Sequence, residues 1–325
     1  MENKNKKITK SGMIKVKKCP CCENRNLSVL YKNMWDKMHF VNGIFDLLVC
    51  NKCRLIFLEP RLNEKQLSKY YPEKEYYSFH NINPLALKYH KLCAYYYSKK
   101  NPLVSLLLTP FKPLFYTYFT DNNHEKALLE IGCGDGLKLA IYQQYGLKTA
   151  GLEPYGSKLT EKEKGLGIKR QSLKEARYKE NSFDIIVLKE VLEHIPNQKL
   201  VLEKCRKWLK PEGKLIITIP NTDGLWVKMF GENWFGYDVP RHLYNYNQKN
   251  IRIVLNKYGL KINKIRAYDT PYMLDGSFSF RAVALTRKRE HPIIFSNAAK
   301  ILFTPISLLV SYLGKGSLME IECGK

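Results

Sequence analysis

Acidic residues are scarce in this chain of 325 residues, which has 30 Asp and Glu against 54 Lys and Arg and a formal charge of +24. A basic surface suits nucleic acids, anionic lipid headgroups or acidic polymers. The lysines are spread along the chain, and no recognition-helix or RNA-binding signature is present. Charge alone therefore does not establish a nucleic-acid partner, and a general lysine-rich bias explains it equally well.

A secretory signal is also missing. Residues 1–18 are lysine-rich and polar, and no apolar core follows them. We expect this stretch to be a basic flexible tail and the protein to be cytoplasmic. Hydrophobic residues make up 45% of the chain and no long polar tract interrupts it, which favours a folded protein of one large or two smaller domains.

A glycine-rich turn lacks two features of the common phosphate-binding turns. Glycines stand at positions 132, 134 and 136, but the sixth position of the turn is Leu137, where a dinucleotide fingerprint needs glycine. No Walker-type lysine with Ser or Thr follows. Glu153 ends a second strand-like run and can accept hydrogen bonds from ribose hydroxyls. The pattern therefore predicts a pocket for a nucleoside without phosphates.

This turn resembles motif I of the class I S-adenosylmethionine-dependent methyltransferases. Residues 183–195 resemble the family's fourth strand and the segment after it, and residues 209–221 resemble its turn and fifth strand. The resemblance implies an α/β, Rossmann-like methyltransferase fold, in which helices cover both faces of a mostly parallel seven-stranded sheet. Another doubly wound nucleoside-binding domain is the alternative.

The apolar pattern places strands and helices along this core. We predict strands near 127–131, 148–152, 168–171, 183–188, 214–219 and 261–268, with helices at 198–209 and 248–258. The closing strand has two candidates, 278–286 and 319–323. Clean alternation favours the second, which makes 274–316 a hydrophobic and basic helical insertion.

Nine cysteines are present, and five of them lie in the first 53 residues. Two C-x-x-C knuckles supply four thiolates for tetrahedral zinc, from Cys19, Cys22, Cys50 and Cys53. Such a closed site is structural rather than catalytic, and Cys21 is left over. Disulfides are the alternative, but they are unusual in a reducing compartment. Residues 54–61 and the tyrosines that follow resemble methyltransferases with an N-terminal zinc-binding module.

Six segments follow from these patterns. They are a tail (1–18), a zinc ribbon (19–60), a helical connector or lid (61–122), the methyltransferase core (123–273), the insertion (274–316) and the closing strand (317–325). Two apolar stretches, 102–120 and 292–313, contain prolines that argue against a straight membrane-spanning helix. Peripheral contact with the inner face of a membrane, packing within the protein or a dimer face, and true spanning remain open.

The resemblance also assigns the cofactor-binding residues. In the family's pattern the first turn lines the methionine and ribose, Glu153 holds the ribose hydroxyls, Ser172 and Leu173 lie beside adenine, and Lys189 and Glu190 face the methyl group. Many relatives carry Asp where Ser172 stands. The full set is Glu130, Gly132, Cys133, Gly134, Asp135, Gly136, Glu153, Pro154, Ser172, Leu173, Lys189 and Glu190.

Three residues are candidates for acid–base or acceptor-binding roles. His194 follows the fourth strand and is either a base or a structural residue. Asp238 and His242 belong to a dense cluster of aromatic and charged residues, 232–244, that we expect over the open edge of the sheet. A lid that only packs and excludes water is the alternative, and the tyrosines at 70, 71, 76 and 77 either cap the pocket or pack in the core.

The sequence therefore predicts an S-adenosylmethionine-dependent methyltransferase with structural Zn²⁺. The expected acceptor is a glycan or a small or lipid-linked molecule of cell-surface polysaccharide biosynthesis, methylated on oxygen. A quinone or lipid O-methyltransferase is the first alternative. A nucleic-acid-binding protein that uses the zinc ribbon and basic surface is the second, and a fold retained only for binding is the third.

Overall fold

Two β-sheets organise the part of the chain that the structure describes. The computed structural model describes residues 15–71, 125–156, 159–286 and 297–325. The predictions for residues 1–14 of the tail, for most of the 61–122 connector with its apolar stretch 102–120, for Tyr76 and Tyr77, and for residues 287–296 of the insertion lie outside those residues.

Eleven strands and eight α-helices are present among the described residues. The strands are β1 (Leu27–Met34), β2 (Phe45–Cys50), β3 (Ile56–Glu59), β4 (Ala127–Ile131), β5 (Lys148–Leu152), β6 (Ile168–Lys169), β7 (Phe183–Lys189), β8 (Leu209–Pro220), β9 (Tyr244–Asn245), β10 (Lys261–Tyr268) and β11 (Leu318–Gly324). The helices are α1 (Glu64–Leu67), α2 (Leu137–Gln144), α3 (Glu161–Gly165), α4 (Gln198–Trp208), α5 (Leu225–Phe230), α6 (Gln248–Lys257), α7 (Pro271–Thr286) and α8 (Asn297–Tyr312).

The larger sheet has seven strands in the order β10-β11-β8-β7-β4-β5-β6. Strands β8, β7, β4, β5 and β6 are parallel, and β11 runs antiparallel to both of its neighbours, β8 and β10. This is the Rossmann-like methyltransferase fold that the sequence predicts.

Both faces of the sheet are covered, because residues on both sides of the central strands are apolar and buried. Leu128, Ile185 and Ile216 are buried in one apolar cluster, with α2 packed on it. Their neighbours Leu129 and Ile186 are buried in the other, larger cluster on the opposite face. Because successive side chains of a strand point to opposite faces, burial on both sides requires a nearly continuous apolar run.

The strand β11 lies at the position predicted from its alternation. Met319, Ile321 and Cys323 are fully buried, and Ile321 is paired with Ile217 of β8. The rejected candidate, Phe278–Thr286, is part of the helix α7. Two apolar helices, α7 and α8, therefore precede the closing strand, and they pack through stacked rings of Phe278 and Phe303 with centroids 5.7 Å apart.

The smaller sheet has the order β1-β2-β3-β9 and is antiparallel. Its fourth strand comes from the C-terminal half of the chain, because Phe57 of β3 pairs with Tyr244 of β9. The cysteine-bearing hairpins are thus joined by backbone hydrogen bonds to the segment that follows α5. The 19–60 unit expected from sequence shares its sheet with the rest of the protein.

Candidate functional site

A cavity of about 770 Å³ opens at the carboxyl ends of the parallel strands. Four segments that follow β4, β5, β6 and β7 line it, which is where ligands bind in open α/β sheets. Residues from the ends of β10 and β11 and from the N-terminal region, Leu67 and Tyr71, form the remaining described wall. The volume falls within the range typical of small-molecule sites.

The turn after β4 depends on glycine at defined positions. Gly132, Gly134 and Gly136 all have positive φ, at 73°, 56° and 83°. A Cβ on Gly132 would lie 2.5 Å from Cγ2 of Val191, so a larger residue would meet both strain and a clash. The backbone of the turn therefore comes close to the segment after β7, and Gly132 to Asp135 lie directly on the cavity.

Glu153 is held by backbone amides at the cavity edge. Its Oε2 accepts a hydrogen bond from the Gly134 amide at 3.0 Å, and its Oε1 accepts one from the Tyr155 amide at 3.0 Å. The side chain is buried, and burial raises its pKa above the ordinary range. The first contact ties the ends of β4 and β5 together, so the carboxylate has a fixed orientation beside the glycine turn.

A neighbouring arginine was not singled out from the sequence. The Nη1 of Arg170, just after β6, donates to the Gly134 carbonyl at 2.9 Å, and its other nitrogen, Nη2, pairs with Glu163 of α3. This side chain braces the glycine turn from the outside. Arg170 follows a short strand and has no motif around it, so only the fold brings it to the turn.

Glu130 is a second buried carboxylate near the turn. Neither of its oxygens has a hydrogen-bond partner, and the Nζ of Lys138 is 3.7 Å from its Oε1. Burial raises the pKa of this carboxyl to about 7. Glu130 and Gly136 do not line the cavity, whereas the other predicted cofactor residues do. These are Gly132, Cys133, Gly134, Asp135, Glu153, Pro154, Ser172, Leu173, Lys189 and Glu190.

His194 connects the cavity to the N-terminal region. Its Nδ1 lies 3.0 Å from the hydroxyl of Tyr71 and 3.1 Å from the carbonyl of Arg241. Tyr71 in turn stacks on Tyr155, with ring centroids 5.4 Å apart. Burial lowers the pKa of His194 to about 3, so the imidazole is neutral at physiological pH. Of the three acid–base candidates, His194 is the one that lines the cavity.

Asp238 lies in a buried ion-pair network instead of the cavity wall. Arg241 donates to Asp238 through Nε at 2.9 Å and to Asp36 through Nη2 at 2.8 Å, and all three side chains are almost completely buried. Although burial opposes it, the guanidinium of Arg241 holds the pKa of Asp238 below its ordinary range. The network fastens the segment after α5 to the loop between β1 and β2.

His242 also lies away from the cavity. Its Nδ1 is 2.7 Å from the Gly236 carbonyl, and its ring meets that of His194 edge-on with centroids 4.5 Å apart. No residue of the 232–244 cluster lines the cavity, although the sequence placed the cluster over the open edge. Its aromatic side chains are buried, Trp234 fully, so the packing interpretation describes the cluster better than acceptor binding does.

The four knuckle cysteines come together at one point. The Sγ atoms of Cys19 and Cys53 are 3.5 Å apart, as are those of Cys22 and Cys50, and all four lie within 4.8 Å of one another. Ligands 2.3 Å from a tetrahedral zinc ion would be about 3.8 Å apart, whereas disulfide sulfurs lie about 2 Å apart. The donor set and spacing fit zinc. Cys21 is outside the group and faces the Asn250 carbonyl at 3.6 Å.

A second group of metal-ligand atoms was not anticipated from sequence. Glu193, His194 and His242 each present one ligand atom within 4.8 Å of the others. The three residues come from two segments almost fifty positions apart, and no spacing rule joins them. The backbone amide of Leu243 donates to the Glu193 carbonyl at 2.9 Å, which holds the two segments side by side.

Membrane spanning was one of the alternatives left open for the apolar stretches. Among the described residues, no helix combines the length and the apolar composition needed to cross a bilayer.

The central part of the chain is similar to known methyltransferases. A family model described as "Methyltransferase domain" matches residues 109–265. A ubiquinone biosynthesis O-methyltransferase from Histophilus somni is 28% identical over 138 residues, covering 38% of this chain and 58% of the relative. A relative of the same name from Bartonella tribocorum is 26% identical over 217 residues, covering 60% of this chain and 81% of the relative.

A solved structure gives a looser match. It is an S-adenosylmethionine-dependent methyltransferase from Archaeoglobus fulgidus, with 19% identity, a TM-score of 0.40 and coverage of 69% of this chain and 94% of that one. The chain spans about half the length of the curated relatives it matches first. Residues 109–265 are therefore similar to methyltransferase domains; the match does not reach the cysteine knuckles, so the zinc module stays a prediction.

Proposed function

We propose that the protein transfers a methyl group from S-adenosylmethionine to an oxygen of an apolar, quinone-type or lipid-type acceptor. The observation that carries the proposal is the pairing of Glu153 with the glycine turn. A buried carboxylate, fixed by the Gly134 and Tyr155 amides, stands beside a turn that only glycine can form. This arrangement fits a ribose, whose hydroxyls can donate to the carboxylate.

The shape and charge of the site fit the proposed cofactor. S-adenosylmethionine carries an ammonium and a sulfonium charge, and Glu130 is a buried carboxylate without a hydrogen bond close to the turn. A buried charge without a partner is costly, and a cationic ligand nearby lowers that cost. The segment after β6, Ser172 and Leu173, and the ring of Tyr155 offer surfaces on the cavity for adenine.

Methyl transfer from a sulfonium is an in-line displacement with an activated donor. The acceptor oxygen forms the new bond to the methyl carbon while the sulfur takes the electron pair of the broken bond. The protein must therefore align the two partners, keep water out and leave the acceptor oxygen deprotonated. Lys189, Glu190 and His194 line the cavity after β7, where the acceptor would meet the methyl group. His194 is neutral at physiological pH, so its ring adds no charge to this part of the cavity wall.

The choice of acceptor rests on the relatives and on the cavity. Both relatives named above are ubiquinone biosynthesis O-methyltransferases, which supports the quinone or lipid alternative. Aliphatic and aromatic side chains of the cavity wall, such as Leu67, Ile195 and Leu200, suit an apolar acceptor. The glycan acceptor expected from the sequence finds no support in these names.

Two measurements test the proposal. Calorimetric titration of the folded protein with S-adenosylmethionine and S-adenosylhomocysteine should give binding with a Kd in the micromolar range. Incubation with methyl-labelled S-adenosylmethionine and hydroquinones bearing apolar tails should then transfer label to oxygen, and matched sugar acceptors should stay unlabelled. Absence of cofactor binding would contradict the methyltransferase assignment, whereas binding with label on sugars would contradict only the acceptor class.

We also propose that the four knuckle cysteines hold a structural Zn²⁺. The four sulfur donors are the set that structural zinc sites use, and they close the coordination sphere. Zinc would fasten the turn before β1 to the turn after β2. Purified protein should contain zinc that a Cys50→Ser change removes, and metal-free, folded wild-type protein would contradict the proposal.

A further inference from the structure

We propose that Glu193, His194 and His242 form a second metal site, which binds one divalent transition-metal ion through two imidazoles and a carboxylate. Their ligand atoms lie within 4.8 Å of one another, and the group is separate from the cysteine cluster. Two histidines and one carboxylate are a donor set that Zn²⁺, Fe²⁺, Mn²⁺ and Co²⁺ accept.

The hydrogen bonds of the two rings set their tautomers. A backbone carbonyl can only accept, so a hydrogen bond from His194 Nδ1 to the Arg241 carbonyl, at 3.1 Å, places a proton on Nδ1, and the Tyr71 hydroxyl, 3.0 Å from the same nitrogen, then accepts from it as well. The same holds for His242 Nδ1, which is 2.7 Å from the Gly236 carbonyl. In each neutral ring the lone pair is therefore on Nε2. Ligating histidines usually bond a carbonyl or carboxylate through their other nitrogen in this way.

The remaining atoms of the group have no partner. Both carboxylate oxygens of Glu193 and the Nε2 of His194 are shielded from solvent and make no hydrogen bond. The Nε2 of His242 is 3.9 Å from Asp238 Oδ2, beyond hydrogen-bond distance, and that carboxylate is already bound by Arg241. Buried polar atoms in proteins are almost always satisfied, so the Glu193 carboxylate and the His194 Nε2 need a partner. A cation held by one atom from each of the three residues would satisfy them together.

The surrounding backbone gives the group a defined position. Glu193 and His194 form a short 3-10 helix directly after β7, and His242 directly precedes the backbone hydrogen bond from Leu243 to Glu193. The Arg241 network fixes the second segment from the other side. Hydrogen bonds and ion pairs therefore hold both segments in place. A metal site needs its ligands fixed in this way.

A proton on Glu193 is the rival occupant. A neutral carboxyl group could donate one hydrogen bond to an imidazole nitrogen, which would satisfy part of the group without any metal. The two occupants differ in stoichiometry: the metal interpretation predicts two ions per chain, one at the cysteines and one here, whereas the rival predicts one.

Cobalt substitution separates the two sites. The full-length protein is stripped with a chelator, reloaded with Co²⁺, freed of excess ion and assayed by elemental analysis and absorption. Thiolate-bound Co²⁺ gives a near-ultraviolet charge-transfer band, and a site of nitrogen and oxygen donors does not. We expect two cobalt ions per wild-type chain. Glu193→Gln and His242→Gln should each retain one ion with the thiolate band intact.

Matched variants complete the design. Cys50→Ser should lose the thiolate band and keep the second ion, and Glu212→Gln, which changes an exposed carboxylate, should keep both ions. Circular dichroism confirms that each variant is folded, and His242→Gln replaces Glu193→Gln if the latter does not fold. One cobalt ion in the wild type, or two in both folded variants, would overturn the proposal.

His194 belongs both to this group and to the cavity wall, so a bound ion would lie beside the acceptor. Resting on the proposed function, the site would then bind an acceptor hydroxyl and lower its pKa, which favours release of the proton to solvent before methyl transfer. Glu193→Gln should in that case bind S-adenosylhomocysteine as the wild type does but lose at least tenfold in turnover. If the folded wild type did not bind S-adenosylhomocysteine, that result would contradict the proposed function, whereas equal turnover of wild type and Glu193→Gln would contradict only the role of the metal ion.

Discussion

The cofactor edge and the lid junction differ in how their polar groups are satisfied. The cofactor edge consists of the glycine turn after β4, Glu130 and Glu153; backbone amides hold Glu153, whereas Glu130 has no hydrogen bond and only the ion pair with Lys138. The lid junction consists of the cysteine cluster and the Asp36–Arg241–Asp238 network, and there the charged side chains satisfy one another. The first region is arranged for a ligand, and the second holds distant parts of the chain together.

The sequence suggested that the 232–244 segment would contribute to the binding site, but the structure places it away from the cavity. The 232–244 segment has the densest set of aromatic and charged residues, yet its arginine and aspartate serve packing. The glycine turn has few chemical groups, yet it faces the cavity. A buried group whose partners are all present has little capacity left for a substrate, whereas an unsatisfied buried group can still bind one.

The largest expected effect falls on the lid junction. Cys50→Ser removes one thiolate of the proposed zinc site, and structural zinc in small modules contributes roughly 10 kcal/mol or more to folding. We expect loss of zinc by elemental analysis and a lower unfolding temperature. Cys21→Ser is the matched control, because Cys21 is buried beside the cluster but is not one of the four cysteines. Equal losses in both variants would contradict the zinc assignment.

Asp238→Asn tests the ion-pair network of the same region. The change leaves Arg241 buried with one carboxylate partner instead of two, and breaking a buried pair costs about 3–5 kcal/mol. Urea denaturation should show that loss, and the affinity of the folded variant for S-adenosylhomocysteine should stay within threefold of wild type.

The exposed Asp223→Asn is the control for the Asp238 experiment. A stable Asp238 variant with abolished methyl transfer would restore the catalytic role that the sequence suggested.

Glu130→Gln, at the cofactor edge, should raise the free energy of unfolding, whereas the two changes above should lower it. The pKa of this carboxyl is raised by burial from 4.5 to about 7 in the folded state, so the folded protein binds the proton more tightly than the unfolded chain. The protonated Glu130 therefore contributes to the free energy of unfolding fully below about pH 4.5, and this contribution is lost as the pH rises through about 7. The complete loss lowers the free energy of unfolding by about 3 kcal/mol.

The glutamine variant has no ionisable group at this position, so it does not lose stability in this pH range. Without cofactor it should be more stable than wild type at pH 8, and the difference should shrink towards pH 5. Urea denaturation at both pH values measures the effect, with Glu212→Gln as the control for an exposed carboxylate. A difference that is independent of pH would show that Glu130 is not protonated in the wild type near neutrality.

The sequence was sufficient for features that are local or periodic. The strand–glycine–strand pattern predicted β4, the turn and Glu153, and the alternation of Met319, Ile321 and Cys323 predicted β11. The two C-x-x-C knuckles likewise predicted that four cysteines would meet. In each case a short pattern of residues a few positions apart marks the element, and the order of such patterns along the chain indicates which of them meet.

Features assembled from distant segments could not be predicted. Arg170 reaches the turn only because β6 lies beside β5, and Asp36 meets Arg241 across more than two hundred residues. His242 has no sequence relation to Glu193, although the two lie side by side. The contacts of such groups depend on how the strands and loops are arranged, which only the folded structure shows.

Binding of S-adenosylhomocysteine to wild type and Glu153→Gln tests the central claim most directly. Wild type should bind with a micromolar Kd, and the variant, which keeps the shape but loses the charge, should bind roughly a hundredfold more weakly because hydrogen bonds to a charged group are lost. The variant should also be less stable than wild type without ligand, because glutamine has one oxygen for the two backbone amides that Glu153 accepts from, so affinity is compared only between folded proteins. Equal affinities, or no binding by the folded wild type, would contradict the assignment of this edge as the nucleoside site.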